Sequence, residues 1–274
     1  MEKFSVCTSV YKNDKPEFVR EALDSMLVNQ SVKPTEIVLV EDGPVPYELS
    51  RMLLEYKDKY GEVMNVIKLE KNGGLGNALK IGVENAKYDI IARMDSDDIC
   101  LPDRFEKQLA YLEANPECDI VGGQMTEFID TPDNIVGRRE VPLTNDEIYD
   151  YMKSRCALNH VTVMFRKESV LKAGNYQDWF WNEDYYLWVR MMMAGCRFAN
   201  IPDVVVNVRS GADQSARRGG KKYFESEKGI QKLMLDNGLI SRSQYAYNVF
   251  GRWCVQVLMP NWLRGFVFQK IIRK

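Results

Sequence analysis

The sequence predicts an α/β protein: a parallel sheet layered between helices in the three-layer α/β/α, Rossmann-like manner. Three observations carry that expectation. Short apolar runs alternate with segments of helical periodicity over the first hundred residues. Each apolar run ends in a polar or glycine-bearing turn. Tyr11, Asp42 and an acidic cluster at Asp95–Asp98 all fall just past such runs, where open parallel sheets bind ligands.

The elements follow in order. Phe4–Val10 reads as a strand. Glu17–Val28 reads as an amphipathic helix, with Phe18, Ala22 and Met26 on one stripe and Val19, Leu23 and Leu27 on the next. Glu36–Val40 is a second buried strand, closed by Glu41-Asp42-Gly43-Pro44. Tyr47–Tyr60 is a second helix and Met64–Leu69 a third strand. Asn72-Gly73-Gly74-Leu75-Gly76 turns into a helix that runs to Ala86, and Ile90–Met94 is the fourth strand. Pro102 suits the first turn of a further helix. Beyond it the pattern loosens: strands are expected at Asp119–Ile129 and Val161–Phe165, a helix at Tyr185–Ala194, and a last strand at Phe198–Val208 interrupted at Pro202. From Ser210 onward the chain reads as helical and basic.

Composition narrows the classes. The 274 residues are 45% hydrophobic and 28% charged, ordinary for a globular protein. A net charge of −2 argues against a general nucleic-acid binder. Six scattered cysteines form no CxxC pair, so they read as free thiols in a reducing compartment. The single histidine, His160, excludes a multi-histidine metal site. No apolar run is long enough to span a bilayer, and the chain begins directly with strand-like residues, so no signal peptide is expected.

Asp95-Ser96-Asp97-Asp98 is the most informative stretch. Three carboxylates past the end of a strand repel one another unless a cation neutralises them, and oxygen ligands without soft donors point to Mg²⁺ or Mn²⁺, ions that commonly also hold phosphates. A solvated acidic loop capping the next helix is the plain alternative. The glycine run at 72–76 fits a loop whose amides approach an anion, or a simple flexible turn; it matches neither the P-loop nor the GxGxxG pattern.

Taken in order, Ser5–Asn13, Ile37–Gly43, Asn72–Gly76, Met94–Arg104, His160–Arg166, Asn182–Arg190 and Arg209–Gly220 resemble the family 2 glycosyltransferases with the A-type fold, and most closely the small bacterial enzymes that build exopolysaccharide, capsule or O-antigen units. The resemblance runs from Phe4 to about Tyr223. It implies inverting transfer of a sugar from a nucleotide-diphosphate donor, UDP-sugar in the first place, to a hydroxyl of a glycan or lipid-linked acceptor. It places Thr8 and Tyr11 along the base and Asp42 as acceptor of a base hydrogen bond. It makes Asn72 and Gly74 donor-contacting, sets Asp95 near the ribose, and makes Asp97 the metal ligand supported by Asp98. It implies Asp184 as the base that deprotonates the acceptor, with Glu183 orienting or supporting it. Trp181, in the run Trp179-Phe180-Trp181, offers a ring face for a sugar, and His160 belongs to the site architecture or contacts substrate. Arg209, Arg217 and Arg218 match a cationic segment that closes over the diphosphate. Arg93 and Arg104 flank the acidic cluster, to contact the donor or balance charge. Two departures stand out. Lys12 follows Tyr11 where the family often has Asn, and no His follows Glu183-Asp184, which leaves Mn²⁺ and Mg²⁺ both open.

The division implied is a catalytic domain over 1–210, with a nucleotide-sugar half at 1–100 and an acceptor half at 101–210. A basic lid and helical extension follow over 211–274. After Asp236 the chain carries no acidic residue; Arg264, Lys270, Arg273 and Lys274 alternate with Trp262, Phe266, Phe268, Ile271 and Ile272. Such a tail suits an anionic membrane surface, or a terminal helix packing on its own domain. The expected location is the cytoplasm, peripheral to the inner face of the plasma membrane. Two other readings stand beside this one. A nucleotidyltransferase is disfavoured because Lys12-Asn13-Asp14-Lys15 carries no glycine. A non-catalytic nucleotide-sugar-binding assembly partner has no need of the Asp97 and Asp184 matches.

Overall fold

The computed structural model describes residues 2–211 and 219–259. Its centre is one nine-stranded mixed sheet. Strands β1 (Phe4–Val10), β2 (Glu36–Glu41), β3 (Met64–Lys68) and β4 (Ile90–Arg93) alternate with helices α1 (Pro16–Leu27), α2 (Tyr47–Tyr60) and α3 (Leu75–Asn85). All pairings among these strands are parallel: β1 with β2, β1 with β4, and β2 with β3. This half agrees with the sequence expectation to within a residue or two.

The second half does not continue the parallel pattern. It comprises β5 (Ile99–Cys100), α4 (Arg104–Ala114), β6 (Ile120–Phe128), β7 (Ile135–Arg139), α5 (Asn145–Met152), β8 (Met164–Arg166), α6 (Lys167–Lys172), α7 (Glu183–Met193) and β9 (Phe198–Arg209). The strand order is β3-β2-β1-β4-β8-β6-β9-β5, with β7 paired to β6. β8 lies antiparallel to both β4 and β6, while β6 and β9 run parallel. Two expectations are corrected here. Val161–Phe165 is not one strand: His160–Thr162 forms a 3₁₀ turn, because the Thr162 hydroxyl bonds the Asn159 carbonyl at 2.8 Å and so competes with the ladder. Phe198–Val208 is not broken at Pro202, since the β6–β9 register skips from Asn200 to Val204 and absorbs the missing N–H in an irregularity.

Successive strand residues enter opposite layers. Phe4, Val6, Ile37, Leu39, Ile90 and Ala92 join one core with α1, α2 and α4. Cys7, Val38 and Ile91 join the other, with Leu79 and Val83 of α3 and Leu187, Trp188 and Met191 of α7. Phe18, expected on the apolar stripe of α1, is only half-buried. Past the last strand come α8 (Lys221–Asp236) and α9 (Arg242–Trp253), followed by a π-type turn at Cys254–Leu258. Ile230 and Met234 of α8 are fully buried in the second core. Burying such side chains contributes about 1.5–3 kcal/mol each, so this helix is integral to the layer it covers. Among the described residues no helix is long and apolar enough to cross a membrane.

Arg104 belongs to the scaffold. Its guanidinium is fully buried, donating to the Arg93 carbonyl at 2.7 Å, the Val163 carbonyl at 3.3 Å and the Gln108 side-chain oxygen at 3.0 Å. It ties α4 to the end of β4 and the approach to β8, and is not placed to touch a donor.

Helix α3 rests on β1 at the closest range in the upper half. A β-carbon at Gly82 would lie 2.3 Å from the Cys7 sulfur, itself locked in the sheet. Gly82→Ala is therefore expected to destabilise the fold by about 1–3 kcal/mol, read as a lower urea midpoint at unchanged slope.

Candidate active site

The site is built from three neighbouring strand ends. β1 delivers Thr8 and Tyr11, β2 delivers Asp42, and β4 delivers Asp95–Asp98. Thr8 is buried and its hydroxyl has no hydrogen-bond partner among the described residues, whereas Tyr11 stands open. The Asp42 carboxylate accepts from the Gly73 amide at 2.7 Å, the Gly74 amide at 2.9 Å and the Asn72 side chain at 2.8 Å. The strand end thus grips the glycine run. Four lone-pair positions on a carboxylate leave room for one further donor. Gly43 is needed on two counts: its φ is +84°, and a β-carbon there would lie 2.5 Å from the Asn72 amide. The run continues into α3, where Gly76 lets the helix start press against Gln177 and Glu183; a β-carbon at 76 would meet the Gln177 carbonyl at 2.9 Å and Glu183 Cβ at 3.3 Å.

The acidic cluster has a member that motif reading missed. Asp14 accepts from the Tyr11 amide and the Ser96 hydroxyl, each at 3.0 Å, so the turn after β1 folds onto the turn after β4. Its signal in the sequence is only an acid three residues past Tyr11. Burial, augmented by the Asp95 charge, raises Asp14 from 3.8 to about 6. The walls of the cleft and the charges of Asp95 and Asp14 raise Asp97 likewise to about 6. Asp98 is 3% exposed, accepts from the Arg209 amide at 2.8 Å and anchors the end of β9. Burial, Asp95 and Asp97 push its carboxyl well above the usual range. Asp98 thus ties the acidic turn to β9 while staying close to Asp95 and Asp97.

Arg93 lies beneath this group. Its guanidinium is 2% exposed, donates to Asp95 at 2.5 Å, and leaves Nε and Nη1 without partners among the described residues. Its charge also reaches Glu183, His160 and Tyr176. His160 bonds the Tyr176 hydroxyl at 2.9 Å and stands edge-on to Trp188. Burial and Arg93 hold it well below 6.5, hence neutral. This bond gives His160 a place in the site architecture.

Helix α7 begins at Glu183, directly after Asn182. Consecutive residues on a helix point about 100° apart, and here that angle separates two clefts. Glu183 faces the strand ends, beside Gly76 and Arg93, and burial with the Asp184 charge raises it from 4.5 to about 7. Asp184 borders a cavity of about 660 Å³, along with Trp181, Cys156 and Arg139. One Asp184 oxygen accepts from the Tyr185 amide at 2.7 Å. Burial and then the Asp184 charge push the Cys156 thiol up to about 12, which keeps it protonated next to that carboxylate.

The aromatic run divides in the same way. Trp179 stacks on Tyr186 at 4.0 Å and donates to the Ser226 carbonyl, so it packs. Trp181 is 52% exposed, stacks on Phe180, and has a φ of +54°. A bulky residue in that region is held at a cost of order 1–3 kcal/mol, which the neighbouring packing imposes at the cavity mouth. Arg209 lies at the edge of this cleft: its Nε donates to the Asp97 carbonyl at 3.1 Å, while its guanidinium lies 3.9 Å over the Phe18 ring, 4.7 Å from Phe128, and pairs with Glu21. It joins β9 to α1 and to the acidic turn. Arg217 and Arg218 lie outside the described residues, as do Trp262 and the rest of the basic tail.

Comparison with known proteins now bears on these positions. The profile described as Glycosyl transferase family 2 matches residues 5–179. The chain belongs to that family. The match takes in every donor-side carboxylate and stops just short of Glu183 and Asp184. This glycosyltransferase is 39% identical over 270 residues to the amylovoran biosynthesis glycosyltransferase AmsE of Erwinia amylovora, covering 97% of this chain and 98% of that one. It is 35% identical over 274 residues to a UDP-Gal:α-D-GlcNAc-diphosphoundecaprenol β-1,3-galactosyltransferase of Escherichia coli, covering 99% and 97%. Among solved structures, S. aureus TarS 1-349 in complex with UDP-GlcNAc has the same fold, with a TM-score of 0.67 at 17% identity over 92% of this chain and 72% of that one.

Glu183 titrates near 4.5 when unfolded and near 7 when folded. The native state therefore holds the extra proton between those values, and stability falls as pH rises through them. Glu183→Gln is expected to match the wild type near pH 4 and to exceed it at pH 8 by up to about 3 kcal/mol, measured by urea unfolding at both pH values.

Proposed function

We propose that this family 2 glycosyltransferase moves a sugar from a UDP-sugar to a hydroxyl of a glycan or lipid-linked acceptor, with inversion, in bacterial surface polysaccharide synthesis. The observation that carries this reading is the split of Glu183 and Asp184 between two clefts at one helix start. A donor sugar lying past the strand ends on the Glu183 side would meet an acceptor held in the Asp184 cavity. The AmsE relative supports the polysaccharide context and the galactosyltransferase relative the uridine donor, each aligned over nearly the whole chain.

In this mechanism Asp184 takes the proton of the acceptor hydroxyl as its oxygen bonds to the anomeric carbon. The bond from that carbon to the donor diphosphate breaks, and its electron pair leaves on UDP. Glu183, anchored over Arg93 and against α3, orients the donor sugar. Asp42 takes the base through its remaining acceptor capacity, beside Thr8 and Tyr11. Asp95 and Asp97 fit a divalent ion: their mutual repulsion, shared with Asp14, is what a cation relieves. Among the described residues no three such side chains converge as a closed metal site. Mg²⁺ or Mn²⁺ is commonly held by one or two carboxylates plus substrate phosphates. Such an ion would stabilise charge on the departing diphosphate. Residues 1–100 form the donor half and 101–210 the acceptor half in this proposal. The extension beyond 210 then walls the acceptor cavity, since Tyr223, Glu227, Asn248 and Arg252 line it. That wall would sit at the inner face of the plasma membrane.

Two outcomes are expected. Thermal unfolding with UDP, GDP, dTDP and CMP, each with and without Mn²⁺, shows a shift for UDP that requires the metal. At about 100 times its Kd a ligand adds roughly 2.7 kcal/mol. The shift fades below about pH 6, where Asp14 and Asp97 take up protons. No shift with any nucleotide refutes the donor site. Asp184→Asn retains that UDP shift and loses transfer by at least about a hundredfold; transfer at the wild-type rate removes Asp184 as base.

A further inference from the structure

One fully buried polar side chain stands among the charges of both clefts and has no role in the reaction above. Tyr176, in the loop between α6 and α7, has its hydroxyl in the field of Arg93, Asp184 and Glu183 together. It bonds His160 Nε2 at 2.9 Å. Charge sets the direction of that bond. Arg93 can only donate, so the phenol proton turns away from it and goes to His160. Burial and Arg93 hold His160 neutral, which leaves Nε2 able to accept, and burial keeps the Tyr176 hydroxyl protonated. The lone pairs of the Tyr176 oxygen are then left for the guanidinium.

The position of this oxygen is fixed by its surroundings. The rings of His160, Tyr176 and Trp188 pack with centroids 5.6, 6.0 and 6.2 Å apart. Asn175 Oδ1 accepts from the Tyr176 amide at 2.7 Å, and Asn175 Nδ2 donates to the Lys80 carbonyl of α3 at 3.2 Å. The Asn175 carbonyl accepts from Arg190 of α7 at 2.7 Å. Tyr176 is thus tied to the two helices that meet at Gly76 and Glu183. The Arg93 guanidinium is less constrained. It donates to Asp95 and leaves its buried Nε and Nη1 without a partner among the described residues. After Asp95, the groups that act on it most are Tyr176 and then Glu183. Idle buried N–H groups are drawn toward whatever acceptors are held near them, and the Tyr176 oxygen is the one locked in place.

We infer that Tyr176 is a positioning residue for sugar transfer: oriented by His160, it holds the Arg93 fork between Asp95 on the donor turn and Glu183 at the head of α7. It acts through Arg93 and touches neither donor nor acceptor. The inference rests on the glycosyltransferase reading above and adds a buried support that sets the spacing of two groups on the donor side. A misplacement of about 1 Å at a reacting centre can cost about a hundredfold in rate, so a side chain with no ligand contact governs turnover here.

The test is Tyr176→Phe, which keeps the ring against Trp188 and removes only the oxygen. Turnover is followed as UDP release from UDP-hexoses and UDP-N-acetylhexosamines, with and without an alkyl-linked glycan. kcat is expected to fall about tenfold or more, while the donor KM and the metal-dependent thermal shift with UDP stay at wild-type values. In a Glu183→Gln background the same change is expected to cost less than about twofold, because the support has lost the group it serves. His160→Gln, which keeps an acceptor for the phenol, retains most of the wild-type kcat, and His160→Leu falls as far as Tyr176→Phe. A second readout needs no turnover. The ionisation of Glu183, read by comparing urea unfolding with and without Glu183→Gln across pH, moves upward in Tyr176→Phe as Arg93 slips away from it. The other charges on Glu183, Asp184 and Asp95, are untouched by that change. A Tyr176→Phe variant with wild-type kcat and an unmoved Glu183 ionisation overturns the inference. An equal loss of kcat in both backgrounds does so too, as does loss of the UDP shift, which would make the hydroxyl a support of the fold alone. A wild type that neither shifts with UDP nor releases it from any donor fails at the glycosyltransferase reading instead, and the Glu183 ionisation still tells whether Tyr176 holds the fork.

Discussion

A single buried guanidinium governs the arrangement of this site. Arg93 closes β4 with its charge inside the protein, ion-paired to Asp95 and facing Glu183. Asp95 keeps one side to solvent, but removing it would leave the buried Arg93 charge without its ion-pair partner. The carboxylates above it are thus not an arbitrary acidic patch. Arg93 lowers the cost of Glu183 and Asp98 being charged, yet not enough to cancel their burial, so they and their neighbours stay raised toward neutrality. Arg104, one layer down, holds the carbonyl of Arg93 itself and so fixes where that charge sits.

The second constraint is close backbone approach. Asp42 grips the Asn72–Gly74 loop, the loop leads into α3, and Gly76 brings α3 against Glu183. A residue at the end of β2 is thereby mechanically joined to one at the start of α7, more than a hundred positions later. The glycines in this path serve contact as much as conformation, since side chains at 43, 76 or 82 would collide with backbone or buried sulfur. Trp181, held with a positive φ just before α7, completes the path at the Asp184 cavity.

Division of labour between two faces follows from this geometry. One helix start supplies both carboxylates, and helical twist sends them to different clefts. The Glu183 side is lined by strand ends from the first hundred residues. The Asp184 cavity is closed by α8, α9 and the turn after them, and α8 is bound to the second core by Ile230 and Met234. That cavity and the C-terminal helices are in consequence parts of one structural unit.

Local chemistry was enough to place the first four strands, their three helices, and the carboxylates at the strand ends. The reason is physical: period-2 and period-3.6 burial are written into short windows, and turn residues mark their limits. The Asp95–Asp98 and Glu183-Asp184 motifs were legible for the same reason, being contiguous. Tertiary structure alone decided what depends on distant partners. The antiparallel insertion of β8 between β4 and β6 has no local signature, nor does the bulge that carries β9 past Pro202. Asp14 joined the acidic cluster only because Ser96 folds onto it. Asp98 and His160 took the partners that packing brought to them, the Arg209 amide and the Tyr176 hydroxyl, and Arg209 settled among the Phe18 and Phe128 rings, Glu21 and the Asp97 carbonyl. A residue's type sets which bonds it can make, while packing sets which partner is within reach, and long-range pairing is not encoded in the local period that a sequence displays.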